Sequence, residues 1–125
     1  MSASDYLENA IANAVRGGGN GTSFTAPAAI YAKLHTGDPG EAGTSNAAGE
    51  TTRKEVQFGA ASGGVVSLSN TVSWTNVSTS ETYSHISLWD NSTAGNCLGS
   101  GALSSSVAVT AGDTFSLSAL TFTVT

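Results

Sequence analysis

The side chains in this sequence able to do chemistry are few and scattered: two imidazoles, His35 and His85, one thiol, Cys97, and nine carboxylates set against four basic groups. They are densest in Leu34–Gly43, LHTGDPGEAG, which carries His35, Asp38 and Glu41. An imidazole beside carboxylates is the raw material of general-base hydrolysis. The same stretch is also punctuation. Asp38-Pro39-Gly40 places Pro where φ must be near about −65° and Gly where φ must be positive, the order that a type II turn demands.

None of the candidate chemistries finds its full set of partners. A hydrolytic triad needs a presented nucleophile, yet no G-x-S-x-G elbow occurs: Leu98 stands where the first Gly before Ser100 should be. His35 shares its strand phase with Tyr31 and Lys33, and His85 with Trp89, so both imidazoles are expected to point outward into solvent. Zinc requires closely spaced His, Cys or carboxylate ligands, and no C-x-x-C or H-E-x-x-H is present. Asp38, Glu41 and Glu50 flank one loop, but the alternating acids of an EF-hand calcium loop are missing. Asp90 ends a strand and Asp113 lies in the turn Ala111-Gly112-Asp113, so a paired-carboxylate cleft is not expected. The run Gly17-Gly18-Gly19-Asn20-Gly21 lacks the Lys and Ser/Thr of a phosphate loop and reads as a hinge. Cys97, with no base or helix terminus implied beside it, reads as a small half-buried hydrophobe. Catalytic, cofactor-binding and metal-ligating residues are therefore all expected to be absent, and the chain is not expected to be an enzyme.

The elements around these residues follow from periodicity. In SDYLENAIANAV, residues 4–15, Leu7, Ile11 and Val15 recur four apart beside Ala10 and Ala14, an apolar stripe of helical period. Ser4 or Asp5 can cap it, and Asp5 to Glu8 has capping-box spacing. A helix of roughly twelve residues is marginal alone in water, so the stripe must be buried, either on its own domain or on a neighbouring subunit reached through the glycine hinge. Beyond the hinge the period becomes 2. Eight short strands are expected, at Ile30–His35, Val56–Phe58, Val66–Leu68, Val72–Trp74, Ile86–Leu88, Cys97–Leu103 (weakened by Gly99 and Gly101), Val107–Val109 and the closing TFSLSALTFTVT. That last strand changes phase at Ala119-Leu120, which implies a bulge or a corner between two sheets. The whole reads as an all-β antiparallel sandwich, jelly-roll or immunoglobulin-like, with one short N-terminal helix. Its expected divisions are a helix or arm at 1–16, a hinge and lead-in at 17–27 and the sandwich at 28–125. Ala42–Thr52, AGTSNAAGETT, has no pattern and reads as a mobile surface loop.

Composition removes several function classes. Charged residues are only 10% of the 125 and the net charge is −5, which disfavours nucleic acid as a partner because phosphate would be repelled. A lone cysteine cannot form an intramolecular disulfide, which fits synthesis in a reducing cytoplasm. No run approaches a membrane span, and the opening MSASDYLENA has neither a basic n-region nor an apolar h-region. Sequons at Asn20, Asn76 and Asn91 are what chance supplies in so Ser/Thr-rich a chain. Trp74 is in phase with Val72 and belongs to the core. Trp89 falls opposite Ile86 and Leu88, and with Tyr31 it is a candidate exposed aromatic for sugar stacking or a protein contact.

Four stretches together resemble a family of small bacteriophage virion proteins, labelled tail fibre or head decoration proteins: SASDYLENAIANAV, FTAPAAIYAKLHTGDPGEAGT, VQFGAASGGVVSLSNTVSW and the closing LTFTVT. The chain departs from that family's pattern in its longer glycine-rich junction and in lacking an aromatic residue before Arg53. The resemblance implies a non-enzymatic capsid cement protein, made in the host cytoplasm and added to the capsid exterior, where it bridges major capsid protein subunits and associates with itself as a dimer or trimer. Under that implication Leu7, Ile11 and Val15 would contact a neighbour, and Arg53-Lys54 would dock on an acidic partner. A tail fibre or tail-tip protein is the structural alternative. A carbohydrate-binding module using Tyr31 and Trp89 is the alternative of another class.

Overall fold

The computed structural model describes residues 1–124; Thr125, the end of the expected 28–125 segment and of its closing strand, lies outside the described residues. The chain forms β1 (Ser2–Ala3), α1 (Asp5–Ala14), β2 (Ile30–His35), β3 (Lys54–Val56), β4 (Val65–Ser67), β5 (Val72–Trp74), β6 (Glu81–Trp89), β7 (Cys97–Val109), β8 (Phe115–Leu117) and β9 (Thr121–Thr123). It is an all-β, sandwich-like fold with one short helix. One sheet runs β1-β7-β6-β2-β3, antiparallel throughout, and two ribbons, β4-β9 and β5-β8, supply the other layer.

The core forms where period-2 faces meet. On β2, Ala32 and Leu34 stand opposite Leu88 and Ile86 of β6. These four are buried in one cluster with Val72 and Trp74 of β5, Phe115 and Leu117 of β8, and Phe122 of β9. Phe115 is the aromatic hub: its ring centroid lies 5.7 Å from that of Trp74 and 5.3 Å, edge on, from that of Tyr83. Trp74 satisfies its indole by donating Nε1–H to the Thr52 carbonyl at 2.8 Å.

The phase change in the closing segment is a real corner. Phe115 and Leu117 belong to β8, paired with β5, whereas Phe122 belongs to β9, paired with β4, and the chain crosses between ribbons at Ser118–Leu120. The two strands expected at Cys97–Leu103 and Val107–Val109 are instead one strand, β7, with a slip inside it. Tyr83 faces Val107 and His85 faces Ala102, which leaves Ser84 alone opposite Leu103, Ser104, Ser105 and Ser106. Gly99 and Gly101 serve close approach. β1 pairs alongside β7 here, Ala3 opposite Gly99 and Ser2 opposite Ser100, and a Cβ on Gly101 would lie 2.7 Å from the Met1 Cα.

Ser4, not Asp5, caps α1: its Oγ accepts the Leu7 N–H at 3.3 Å and donates to the Cys97 carbonyl at 2.5 Å, tying the helix start to β7. Leu7 is buried at 7% exposure and Ile11 packs half-buried on the same core, while Val15 stands 76% exposed. The apolar stripe is thus spent largely on the helix's own sheet.

Candidate functional site

The outward face of the five-stranded sheet carries Tyr31, Lys33 and His35 on β2 with Ser87 and Trp89 beside them on β6. Alternation puts these residues on that face, as the sequence predicts, yet solvent does not reach most of it. Residues 36–50 fold back as a roof. The Thr36 N–H donates to the Asn46 carbonyl at 2.9 Å, and the Ala48 N–H to the Leu34 carbonyl at 3.1 Å. At its far end the Glu81 carboxylate accepts the Gly49 and Glu50 N–H groups at 2.9 and 3.1 Å. Gly40 takes the positive φ of +74° expected after Pro39, and Asn46 Nδ2 donates to the Asp38 carbonyl at 2.9 Å. The surface loop expected at Ala42–Thr52 is exposed along most of its length, but it is pinned rather than mobile. Gly43, Ala48 and Glu50 are buried, and the segment is stitched to β2 and β6.

Under the roof lies the arrangement closest to catalytic chemistry. His35 Nε2 stands 2.7 Å from Ser87 Oγ, and His35 Nδ1 stands 2.9 Å from the Ser45 carbonyl. A carbonyl only accepts, so Nδ1 carries the proton and Nε2 accepts the Ser87 hydroxyl. Ser87 Oγ in turn accepts the Trp89 Nε1–H at 2.7 Å. The result is one directional chain, indole to hydroxyl to imidazole to carbonyl. Burial, the largest effect, holds the His35 pKa below its ordinary 6.5, reinforced by the charge of Lys33 and opposed by the Ser45 hydrogen bond. His35 and Ser87 are both fully buried, so no substrate atom reaches the pair. The outward, solvated His35 expected from strand phase is corrected: its phase is right and its exposure is not.

Trp89 is corrected in the same way. It is only 7% exposed, and Gly43 lies against it where a Cβ would come within 3.0 Å of Cζ2. The Arg53 guanidinium covers the indole with its carbon 4.0 Å from the ring centroid, and Nη1 donates to the Asn91 and Ala94 carbonyls at 2.9 and 2.7 Å. Arg53 is thus engaged within its own chain; Lys54 and Tyr31 are half-buried on β3 and β2. Burial pushes the Cys97 thiol up, away from thiolate chemistry.

The acids of the LHTGDPGEAG loop meet the other histidine. Asp38, Glu41 and His85 line an open cleft of about 410 Å³ together with Ser2 and Ser100. His85 bonds there only to its neighbour, Nδ1 to Ser84 Oγ at 2.8 Å, and among the described residues it is linked to neither acid. Glu41 also borders a second cleft of about 440 Å³ with Asp5, Tyr6, Thr44 and Asn96, and it accepts the Asp5 N–H at 3.2 Å. Among the described residues no group of three or more His, Cys, Asp or Glu is placed to hold a metal ion. Sequence reasoning missed Ser87 as a partner of His35. Its one signal was a Ser fully enclosed in the run Ile86–Trp89, where outward phase predicts solvent.

A family model described as Podophage GP4 fiber I protein gp80 matches residues 2–125. No curated protein matches the chain.

Proposed function

The chain belongs to the podophage GP4 fiber I protein family, which makes it a phage structural protein, and on that footing we propose that it is a non-catalytic building block of the virion fibre. The observation that carries the non-catalytic part of the reading is the sealing of the His35–Ser87 pair. The nucleophile and base that enzymes expose are here both fully buried and turned into a structural hydrogen-bond chain. A passive component needs a body that keeps its shape, and the roof stitched across the sheet supplies stiffness on the face opposite the core. The sparse charge of its surface suits a permanent neighbour better than a diffusing ligand.

The fibre reading takes its location from the family's description. Capsid cement, bridging major capsid protein subunits on the capsid exterior, is the competing placement and shares the same absence of chemistry. Gold-labelled antibodies against this chain, imaged on intact particles by electron microscopy, separate the two. Label at the tail fibres supports the proposal, and label distributed over the head overturns it in favour of cement.

A further inference from the structure

Of the eight asparagines in the sequence, Asn20 alone precedes a glycine. The pair ends the run Gly17-Gly18-Gly19-Asn20-Gly21, which folds as a turn: the Asn20 N–H donates to the Gly17 carbonyl at 3.0 Å, across Gly18 and Gly19 at φ of +60° and +77°. Asn20 and Gly21 are both exposed. Asn20 Nδ2 makes one long hydrogen bond, 3.3 Å to the Gly18 carbonyl, and the Gly21 N–H donates to no acceptor among the described residues. The other asparagines are held. Asn9 and Asn13 lie within α1. The Val77 N–H that follows Asn76 donates to the Asp113 carbonyl at 3.0 Å. Asn46 Nδ2 donates to the Asp38 carbonyl, Asn70 Oδ1 accepts the Gln57 N–H, Asn91 Oδ1 accepts the Thr93 N–H, and Asn96 Nδ2 donates to the Asp90 carboxylate.

We propose that Asn20–Gly21 is a self-modification site, at which the chain converts Asn20 to a mixture of aspartate and isoaspartate. The Gly21 amide nitrogen loses its proton to water and attacks Asn20 Cγ. A C–N bond forms, the Cγ–Nδ2 bond breaks, and Nδ2 leaves as ammonia, closing a five-membered succinimide. One water then opens the ring. Attack at Cγ leaves aspartate, and attack at the main-chain carbon leaves isoaspartate, whose backbone runs through Cβ and Cγ. Overall one water is consumed and a neutral amide becomes a carboxylate and an ammonium ion. Glycine permits the attack because it has no side chain to crowd the closing ring, and its unbonded N–H leaves the nitrogen available.

The conversion acts on the end of α1. The Thr22 N–H donates to the Asn13 carbonyl at 2.9 Å, and Gly21 lies so close to the Ala14 carbonyl that a Cβ would be 2.9 Å from its oxygen. Asn13 and Ala14 carry two of the carbonyls that a helix C-terminus leaves open. Isoaspartate adds one backbone carbon between residue 20 and Gly21, which moves Gly21 and Thr22 out of register with them. The new carboxylate also lies beside a helix end whose last turn has no basic residue, where negative charge is unfavourable.

Assembled particles make no new protein, so the modified fraction rises with their age; the chemistry itself rests on this chain alone and is tested on the purified full chain. Incubation at mildly alkaline pH in heavy-oxygen water, followed by peptide mapping, should show labelled oxygen entering residue 20 about tenfold faster than any other asparagine, with ammonia released. Gly21→Ala should slow that entry about tenfold by crowding the ring. Asn20→Gln leaves Gly21 in place and should stop it, because a larger ring would have to close. Amide hydrogen exchange then compares the isoaspartate fraction with fresh protein: the Thr22 amide should exchange about tenfold faster, while the amides of β2 and β6 keep their protection. An Asn20 that stays intact while another asparagine converts overturns the proposal, as does a Gly21→Ala chain that converts at the original rate. Unchanged exchange at Thr22 in the isoaspartate fraction overturns the effect on α1.

Discussion

His35 and Ser87 stand 2.7 Å apart, Nε2 to Oγ, both fully buried at the centre of a hydrogen-bond chain. In an open cleft the same two groups would form a general base and a nucleophile. Here they join β2 to β6, and the Ser45 carbonyl joins His35 to the roof. Ser87→Ala would strand His35 Nε2 and Trp89 Nε1 without partners in a dry site, so it should lower unfolding stability by about 2 kcal/mol in a denaturant titration. Unchanged stability would mean that the chain holds nothing together.

The same imidazole makes stability depend on pH. Burial keeps the folded-state pKa of His35 below the 6.5 of the unfolded chain. The unfolded state then binds the proton first as pH falls, so the contribution is complete above about pH 6.5 and declines below it. Urea midpoints measured from pH 7.5 down to 5 should fall, and the His35→Gln variant should show a shallower slope through that window.

The roof depends on one glycine. Gly43 has φ of +71°, and a Cβ there would lie 2.5 Å from Cys97 Sγ and 3.0 Å from Trp89 Cζ2. Gly63, at φ +61°, has nothing within 4 Å of the same position and isolates the backbone effect. Gly43→Ala should cost about 2–4 kcal/mol and Gly63→Ala only about 1 kcal/mol, both read by thermal unfolding. Equal costs would show that the roof does not press on the sheet.

A substitution should also stabilise the protein. The Tyr83 hydroxyl is fully buried and has no hydrogen-bond partner among the described residues, although its ring packs edge on against Phe115. Tyr83→Phe keeps the ring and removes the unsatisfied group, so the melting temperature should rise, by about 1 kcal/mol of stability. A fall would reveal a partner for that hydroxyl.

Much of the fold was legible because strand period is a local property. Leu34 with Ala32, Ile86 with Leu88, and Val72 with Trp74 declare their shared faces, and the slip between Leu117 and Phe122 announces the corner between ribbons. The roof was hidden for the opposite reason. AGTSNAAGETT has no period of its own, and its position is set by distant partners, Glu81 for Gly49 and Leu34 for Ala48. Since the roof decides which outward residues are buried, the exposure of His35 and Trp89 could not be read from phase. The β7 bulge escaped similarly, since Leu-Ser-Ser-Ser gives no sign of standing opposite a single Ser84. Gly99 and Gly101 read as weak points of a strand because the close approach of Ser2 and Met1 to them is a tertiary fact.

A fixed part of the particle is present at constant copy number, and quantitative mass spectrometry of density-purified virions measures that directly. Peptides of this chain, counted against those of the most abundant virion protein, should give the same copy number per particle in every preparation. A chain abundant in infected-cell lysate but missing from purified particles would contradict it.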